Sequence, residues 1–521
     1  MESACEGLAS MRIAYRDFSA SVPNEVLRLV FFELFSSSGS KKSLTNARLV
    51  DKRWSAVAAT VLWYHLDVTL DDSAKFDALL KSSPNGVLDN VRELSITSDP
   101  SGPRSFEQKQ QTGTNLLKLF SVLPRDCLWA FHNKNFLMEP ISVCLLLRCQ
   151  SKLRTLDVRV SHLSHDSFPS PCYVRGNLQD LETLDLDVLM SFHSTYEGVG
   201  DWFAHMPKLK SMKIGGRFNG TNSFNGWELS GPSKFLKLSN ITMENVTLPD
   251  DATRITGHLQ LPFLRGLSFR FCTNTVPFIR SLIRSYKQTR DVTSLQTYQA
   301  YDLSTNRDCQ QASADLIKIC TRLKMVCVAY MTDCLLDVGV LGLSCKTIFG
   351  LSLSTNGRPT NYYTPDDFSR LVNLCPNIRN LSTCLGDLTP IVDGLRFADP
   401  VRLSNIACYI EKLRMIARLK NLRRLHIMDS PLMSGNWSAN ERRMRYNEIA
   451  TQILKVLAHF GSPVQQLRYN PIREPEPVEV DADGQEWPNY SYIRGTITVC
   501  RGLVASRTIV AVPDPGHFDK R

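Results

Sequence analysis

The sequence reads LRTLDV at residues 153–158, LETLDL at 181–186 and LKSMKI at 209–214. Each phrase carries apolar side chains at its first, fourth and sixth positions, and the starts at 153, 181 and 209 are 28 residues apart. Further copies begin at Val91, Leu238, Leu264, Leu323, Ile348, Ile378 and Leu422, with a degenerate copy expected near Leu295 and another near Val464. A phrase that returns at this period indicates an array of structural repeats.

Each copy alternates apolar and polar residues, which predicts a half-buried strand. Segments with helical spacing precede several copies, for example residues 314–319 and 365–374. The resulting strand and helix alternation predicts an α/β solenoid with parallel strands on one face and helices outside. Ordinary doubly wound α/β domains are the alternative, but they do not require the same phrase in every repeat.

A different pattern opens the chain. Residues 21–35 read SVPNEVLRLVFFELF, and their apolar residues recur at the spacing of an amphipathic helix. A Ser/Gly-rich loop at 36–40 follows, and then two short helical patterns, one over 44–50 and one over 54–62. Three helices in about fifty residues cannot bury all their apolar surface among themselves, so the module should dock against another surface.

This module resembles an F-box through the order and spacing of VPNEVL at 22–27, ARLVDKRW at 47–54 and LWYHLDV at 62–68. The departures are Val22 where a leucine is usual, Asp51 where Cys or Ser is frequent, and a rather long loop at Ser36 to Lys42 that lacks an acidic residue. The resemblance implies binding to the Skp-type adaptor of a cullin-RING ubiquitin ligase. The adaptor-binding residues that it implies are Val22, Pro23, Leu27, Phe31, Leu49, Val50 and Trp54. The alternatives are that the helices only cap the next domain, and that Trp54 is core.

The repeat array is similar to the degenerate leucine-rich repeats of F-box proteins, especially fungal ones. That family expects Asn or Cys three residues after each strand, and only Cys272 and Asn356 fit clearly. The predicted domains are a flexible N-terminus over 1–17, an F-box over 18–66, the repeat solenoid over 67–470 and a C-terminal segment over 471–521. In this last segment an acidic, Pro-rich linker precedes capping strands.

Composition limits the partners. Lys and Arg number 61 against 51 Asp and Glu in 521 residues, a net charge of +10 without long basic runs. This balance fits either a solvated surface or a target that is acidic or phosphorylated, and it does not favour nucleic acid. The 15 cysteines form no CxxC pair, so we expect reduced thiols and a cytoplasmic or nuclear location. Neither a secretory signal nor a membrane span is expected.

No phosphate-binding loop, nucleophile elbow or zinc framework occurs in the sequence, and His162 and His165 lack partners for a metal site. We therefore expect a protein without cofactor, metal or catalytic residues. The sequence predicts a substrate-recognition subunit of a Skp-cullin-F-box ubiquitin ligase, with cullin reached through the adaptor and with an unknown target. The alternative is a leucine-rich-repeat scaffold that does not direct ubiquitylation. No target-binding residue is assigned.

Overall fold

The structure is a computed structural model of the 521-residue chain. It describes residues 22–38, 41–82, 86–98, 106–133, 135–160, 177–189, 203, 205–217, 237–251, 256–257, 259–289, 293–302, 307–330, 335–355, 362–386, 400–428, 439–469, 479–480, 486–487, 490–501 and 504–514. The predicted flexible N-terminus at 1–17, His162, His165, Asn356 and most of the predicted acidic linker lie outside these residues.

The chain forms two compact units, and the described residues up to Arg217 belong to the first. Its helices are α1 Asn24–Ser38, α2 Lys41–Ala47, α3 Lys52–Leu62, α4 Ser73–Ser82, α5 Phe106–Val122 and α6 Pro140–Cys149, with a 3-10 turn at Leu88–Asn90. Its strands are β1 His65–Thr69, β2 Glu93–Thr97, β3 Ala130–Asn133, β4 Thr155–Val160, β5 Thr183–Leu189 and β6 Ser211–Arg217. These strands lie side by side in chain order and are all parallel.

The described residues from Lys237 onward form the second unit. Its helices are α7 Thr275–Thr289, α8 Arg307–Ile319, α9 Pro365–Leu374, α10 Pro400–Ala417 and α11 Ala439–His459, with 3-10 turns at Leu261–Phe263 and Val338–Leu341. Its parallel strands are β7 Asn240–Glu244, β8 Gly266–Arg270, β9 Thr297–Asp302, β10 Met325–Tyr330, β11 Gly350–Thr355, β12 Asn380–Thr383, β13 Arg424–Ile427 and β14 Gln466–Tyr469. They too follow chain order.

The repeated phrase sets the strand positions. In β4 the side chains of Leu156, Val158 and Val160 are fully buried, whereas the intervening Thr155 and Asp157 are partly exposed. Every predicted copy contains such a strand, which begins two residues after its first apolar position, and the degenerate copy near Leu295 provides β9. An α/β fold with parallel strands in chain order is therefore confirmed, because the buried apolar row continues from each strand to its neighbour.

One strand lies outside the predicted copies of the phrase. Strand β3 begins two residues after Leu128, and the sixth position counted from Leu128 is Asn133 instead of an apolar residue. Asn133 is completely buried, and its amide binds both the N–H and the carbonyl oxygen of Phe136. A buried polar side chain is tolerated where its hydrogen bonds are made, so the fold accepts Asn133 at a position where the repeated phrase has an apolar residue.

The predicted C-terminal strands are present and form a hairpin. Strand β17 Ser491–Arg501 pairs antiparallel with β18 Val504–Pro513, and β17 also pairs antiparallel with β14. A separate two-stranded pair joins β15 Glu479–Val480, which lies within the predicted linker at 473–484, to β16 Glu486–Trp487, which follows it. Among the described residues, no helix has the length and apolar character needed to cross a membrane.

Candidate functional site

The three N-terminal helices enclose a small core of their own. The buried side chains of this core are Leu27, Phe31, Leu44, Val57, Ala58 and Val61, one set from each helix. The ring of Phe31 is 1% exposed and lies edge-on to the indole of Trp54, with 5.5 Å between the ring centroids. Helices this short need such packing, since isolated helices of this length are marginal in water.

Polar contacts hold the ends of the helices together. Arg53, near the start of α3, donates from its Nε to Asn24 Oδ1 at 2.6 Å and from a terminal nitrogen to the carbonyl oxygen of Val22. Asp51 is the N-cap of α3, and its carboxylate accepts from the Trp54 N–H at 2.8 Å. The departure from the F-box pattern at position 51 therefore supplies one of the preferred N-cap residues.

Two predicted adaptor-binding residues are corrected by the structure. Leu27 is 4% exposed and Phe31 is 1% exposed, and both belong to the core cluster that the three helices share. They cannot face a second protein while they fill this core. Two faces of α1 carry apolar residues. The spacing of these residues in the sequence therefore does not show which face is buried and which is exposed.

A second apolar stripe of α1 faces outward. Its members are Val26 (45% exposed), Leu29 (69%), Val30 (47%) and Leu34 (43%). At about 3.6 residues per turn, positions 26, 30 and 34 follow one line along the helix and position 29 lies beside it. Glu33 lies within the same arc and is exposed. These four side chains form an exposed apolar surface, which we call the α1 stripe.

The turn between α2 and α3 carries two more exposed apolar residues. Leu49 is 83% exposed and Val50 is 57% exposed, and both lie in the turn instead of on the predicted second helix, which ends at Ala47. Asp51 directly after them caps α3, so the turn has a defined geometry. The structure thus leaves these two predicted adaptor-binding residues accessible.

The remaining predicted residues occupy the border of the module. Pro23 is exposed and precedes α1, where its carbonyl oxygen accepts from the Leu27 N–H at 3.0 Å. Val22 is partly buried against the core cluster. Trp54 also packs on this cluster and keeps part of its surface exposed, so it serves the core and can still reach a partner.

An aromatic series attaches the module to the rest of the first unit. Phe32 lies edge-on to Tyr64 at 5.0 Å, and Tyr64 lies edge-on to Trp129 at 6.1 Å, measured between ring centroids. The guanidinium of Arg154 lies 5.3 Å from the centroid of the Trp129 ring. Aromatic and cation–π pairs stabilise a structure by more than the area they bury. These contacts therefore hold the face of α1 that carries Phe32 against the strands and helices of the first unit.

The polar face of the first unit carries a charged row. Parallel register places His132, Asp157, Asp185 and Lys213 side by side on β3 to β6. Lys213 pairs with Asp185 at 2.9 Å. Burial, followed by repulsion from Asp185, raises the pKa of Asp157 to about 6. The row is accessible, but each carboxylate has a cation or another carboxylate from a neighbouring repeat beside it.

The described residues hold neither a cluster of metal ligands nor a disulfide. No group of three or more His, Cys, Asp or Glu side chains among them could hold a metal ion, and no disulfide joins their cysteines. Burial raises the pKa of Cys127 to about 11 and the pKa values of Cys320 and Cys375 to about 12. These thiols stay protonated near neutral pH and are poor nucleophiles.

Comparison with known proteins provides no family for this chain. No protein-family model matches the sequence. A search of curated proteins also found no match. The exposed residues of the three helices and the parallel-strand units are therefore the basis for a functional assignment.

Proposed function

We propose that the chain is a substrate-recognition subunit of a Skp-cullin-F-box ubiquitin ligase. In this proposal the three N-terminal helices are an F-box that binds a Skp-type adaptor, and the parallel-strand units are a leucine-rich-repeat solenoid that binds a target protein. The chain supplies no catalytic residue. It acts by holding target lysines close to the conjugating enzyme, which raises their effective concentration there.

The exposed apolar residues of the module carry this proposal. Six large apolar side chains between Val26 and Val50 are exposed, although the same helices have a filled core. Single exposed apolar residues are ordinary on a protein surface, but a concentration of them on one small module is typical of an interaction site. Charged residues such as Glu25, Arg28 and Glu33 surround them, as the polar rim of a protein interface would.

The structure also changes which residues we assign to the adaptor. The α1 stripe replaces Leu27 and Phe31 as the helical part of the contact. Pro23, Leu49, Val50 and the exposed part of Trp54 remain, with Val22 at the border. Burying a side chain such as Leu29 or Leu49 under a partner contributes about 2 kcal/mol in apolar transfer free energy.

The test is co-purification of the tagged full-length chain with a Skp-type adaptor and cullin. The variant is Leu29→Asp/Leu49→Asp, which places charges on the two most exposed apolar positions of the module. The matched control is Ile141→Asp/Leu343→Asp, because Ile141 is 66% exposed and Leu343 is 64% exposed, and both lie outside the module. We expect wild type and control to recover adaptor and cullin, and the module variant to lose at least nine-tenths of both.

Two outcomes contradict the proposal. Equal recovery of adaptor with wild type and with Leu29→Asp/Leu49→Asp would show that the module surface does not bind it. Recovery of adaptor without cullin would favour the scaffold, because such a chain keeps the first contact and directs no ubiquitylation. Circular dichroism of both variants verifies that they keep the wild-type fold.

A further inference from the structure

One edge of the second unit carries basic side chains in most of its described turns and acidic side chains in none of those before β8 to β14. Each helix-to-strand turn in this unit ends one residue before a strand, so the turns line up along the edge where the strands begin. The described turns that precede β8 to β14 contain eight cationic side chains, Arg265, Arg322, Lys324, Lys346, Arg379, Arg418, Lys420 and Arg423, and all eight are exposed. We call this set the basic edge. The same turns, over 259–265, 293–296, 320–324, 342–349, 375–379, 418–423 and 460–465, contain neither Asp nor Glu.

The backbone fixes the positions of these side chains. The carbonyl oxygen of Lys324 accepts from the N–H of Phe349 at 3.0 Å, and that of Arg379 accepts from the N–H of Arg423 at 2.7 Å. Asn377 also donates from its side chain to the carbonyl oxygen of Lys346 at 2.9 Å. The turns are thus bonded to one another, and neighbouring strands lie about 4.8 Å apart, so β8 to β13 carry the basic edge over roughly 24 Å.

These cations have no ionic partners within the described residues. None of the eight forms an ion pair there. The equivalent turns of the first unit differ, because Lys208 pairs with Asp180 at 2.5 Å and Lys210 pairs with Glu182 at 2.6 Å from the preceding repeat. The first unit therefore pairs the lysines of its last described turn with carboxylates of the preceding repeat, whereas the eight cations of the second unit have no such pair among the described residues.

We infer that the basic edge of the second unit binds an acidic segment of a partner protein, rich in Asp and Glu. This inference rests on the proposed function and names the class of target that the array would take. Complementary charge steers such a segment to the edge and selects against basic partners. An extended segment rises about 3.3 Å per residue, so seven or eight residues would span the basic edge.

Nucleic acid fits the basic edge less well. Single strands bind where successive bases can stack on aromatic side chains. Phe349 lies among the cations but is half-buried, and the ring of Phe263 has the Lys237 ammonium 5.6 Å from its centroid. The edge therefore has no series of open rings, although it has the charge to attract any polyanion.

The test measures fluorescence anisotropy of a labelled 20-residue peptide of alternating Glu and Ser with the full-length chain. We expect binding at 50 mM NaCl that weakens at 200 mM, because screening shortens the reach of exposed charges. The variant Lys324→Ser/Arg379→Ser/Arg423→Ser removes three cations from the basic edge. Its dissociation constant should rise roughly tenfold, which corresponds to a few exposed charge contacts.

The control Lys118→Ser/Arg125→Ser/Arg148→Ser removes the same charge from exposed positions of the first unit. It should bind the peptide as wild type does. If both variants bind the peptide equally weakly, binding depends on the net charge of the chain and not on the basic edge, and the inference is wrong. An absence of binding to the wild-type chain at 50 mM NaCl would also overturn it. Tighter binding of a 20-nucleotide oligo-dT or of a phosphoserine peptide than of the Glu/Ser peptide would assign the edge to that other ligand.

The same triple variant separates this inference from the proposed function. It leaves the three N-terminal helices unchanged, so it should still co-purify with the adaptor. Loss of peptide binding with retained adaptor supports the inference. Failure of wild type to bind the peptide, with the adaptor retained, contradicts the inference alone. Loss of the adaptor contact in the wild-type chain would contradict the proposed function itself.

Discussion

The phenyl ring of Phe31 meets the indole of Trp54 edge to face inside the N-terminal module, with 5.5 Å between ring centroids. The contact joins α1 to α3 and places the side chain of Phe31 in the core, 1% exposed. Phe31, which the sequence predicts to contact a partner, therefore stabilises the core of the module. The surface for a partner lies on other residues of the same helix.

We predict that Phe31→Ala destabilises the module by about 3 kcal/mol, because it leaves a cavity where a buried ring was. Hydrogen exchange measures this as faster exchange of the amides in α1 and α3. Leu49→Ala is the control, since Leu49 is 83% exposed and its truncation should leave exchange unchanged. Similar acceleration in both variants would contradict the assignment of Phe31 to the core and Leu49 to the surface.

We predict that Asp51→Ala destabilises α3 by about 1 kcal/mol through loss of its N-cap. The Asp51 carboxylate accepts from the Trp54 N–H at 2.8 Å, and alanine offers no acceptor. Asp51→Ser should keep most of the stability that Asp51→Ala loses, because a serine hydroxyl can also cap the helix. Asp77→Ala on the exposed side of α4 is the control, and exchange rates in α3 that are equal in all four proteins would refute the cap.

We predict that Asp157→Asn stabilises the first unit at pH 7. Burial and the Asp185 carboxylate raise the pKa of Asp157 to about 6 from a usual 3.8, although Arg159 and Lys213 oppose the shift. Between these values the folded chain holds a proton that the unfolded chain has released. The stability that this proton provides is present at low pH and is lost as the pH rises through about 6.

Urea unfolding at several pH values measures this difference. The Asn variant should be more stable than wild type by about 1 kcal/mol at pH 7, a value reduced for the exposed part of Asp157. The difference should shrink towards pH 4, where Asp157 is protonated in the folded state. His132 lies 3.9 Å from Asp157, so the variant His132→Gln is measured beside it. A difference that grows towards low pH would reverse the sign of the prediction.

We predict that Asn133→Leu costs about 2 kcal/mol, even though leucine matches the repeat pattern. The change leaves the N–H and carbonyl oxygen of Phe136 without the amide that binds them both. Val158→Thr serves as the opposite substitution, because it places a hydroxyl at a fully buried apolar position of β4. Thermal unfolding of the full chain should show a lower midpoint for each variant, and a higher midpoint for Asn133→Leu would refute the prediction.

The period of the repeated phrase was enough to locate most strands. Leu295 illustrates this, because the 59-residue gap between Leu264 and Leu323 required one more copy, and β9 occurs there. The copy at Leu128 does not match the phrase, because its sixth position is the polar Asn133. This side chain can be buried because it is hydrogen-bonded to Phe136, three residues further along the chain. Local alternation thus identifies strands wherever the buried row is apolar, and it fails where a polar side chain is satisfied by tertiary contacts.

The amino-acid sequence alone determined the period, the alternation of strands and helices, and the three short helices at the start, since these depend on the spacing of apolar residues along the chain. Only the tertiary structure decided that Leu27 and Phe31 face inward while Leu29 and Leu49 face solvent, because burial depends on the neighbouring helices. The same holds for the basic edge. Whether an exposed arginine is neutralised depends on a carboxylate from the adjacent repeat, and the distance between two repeats is set by the sheet and not by their separation in sequence.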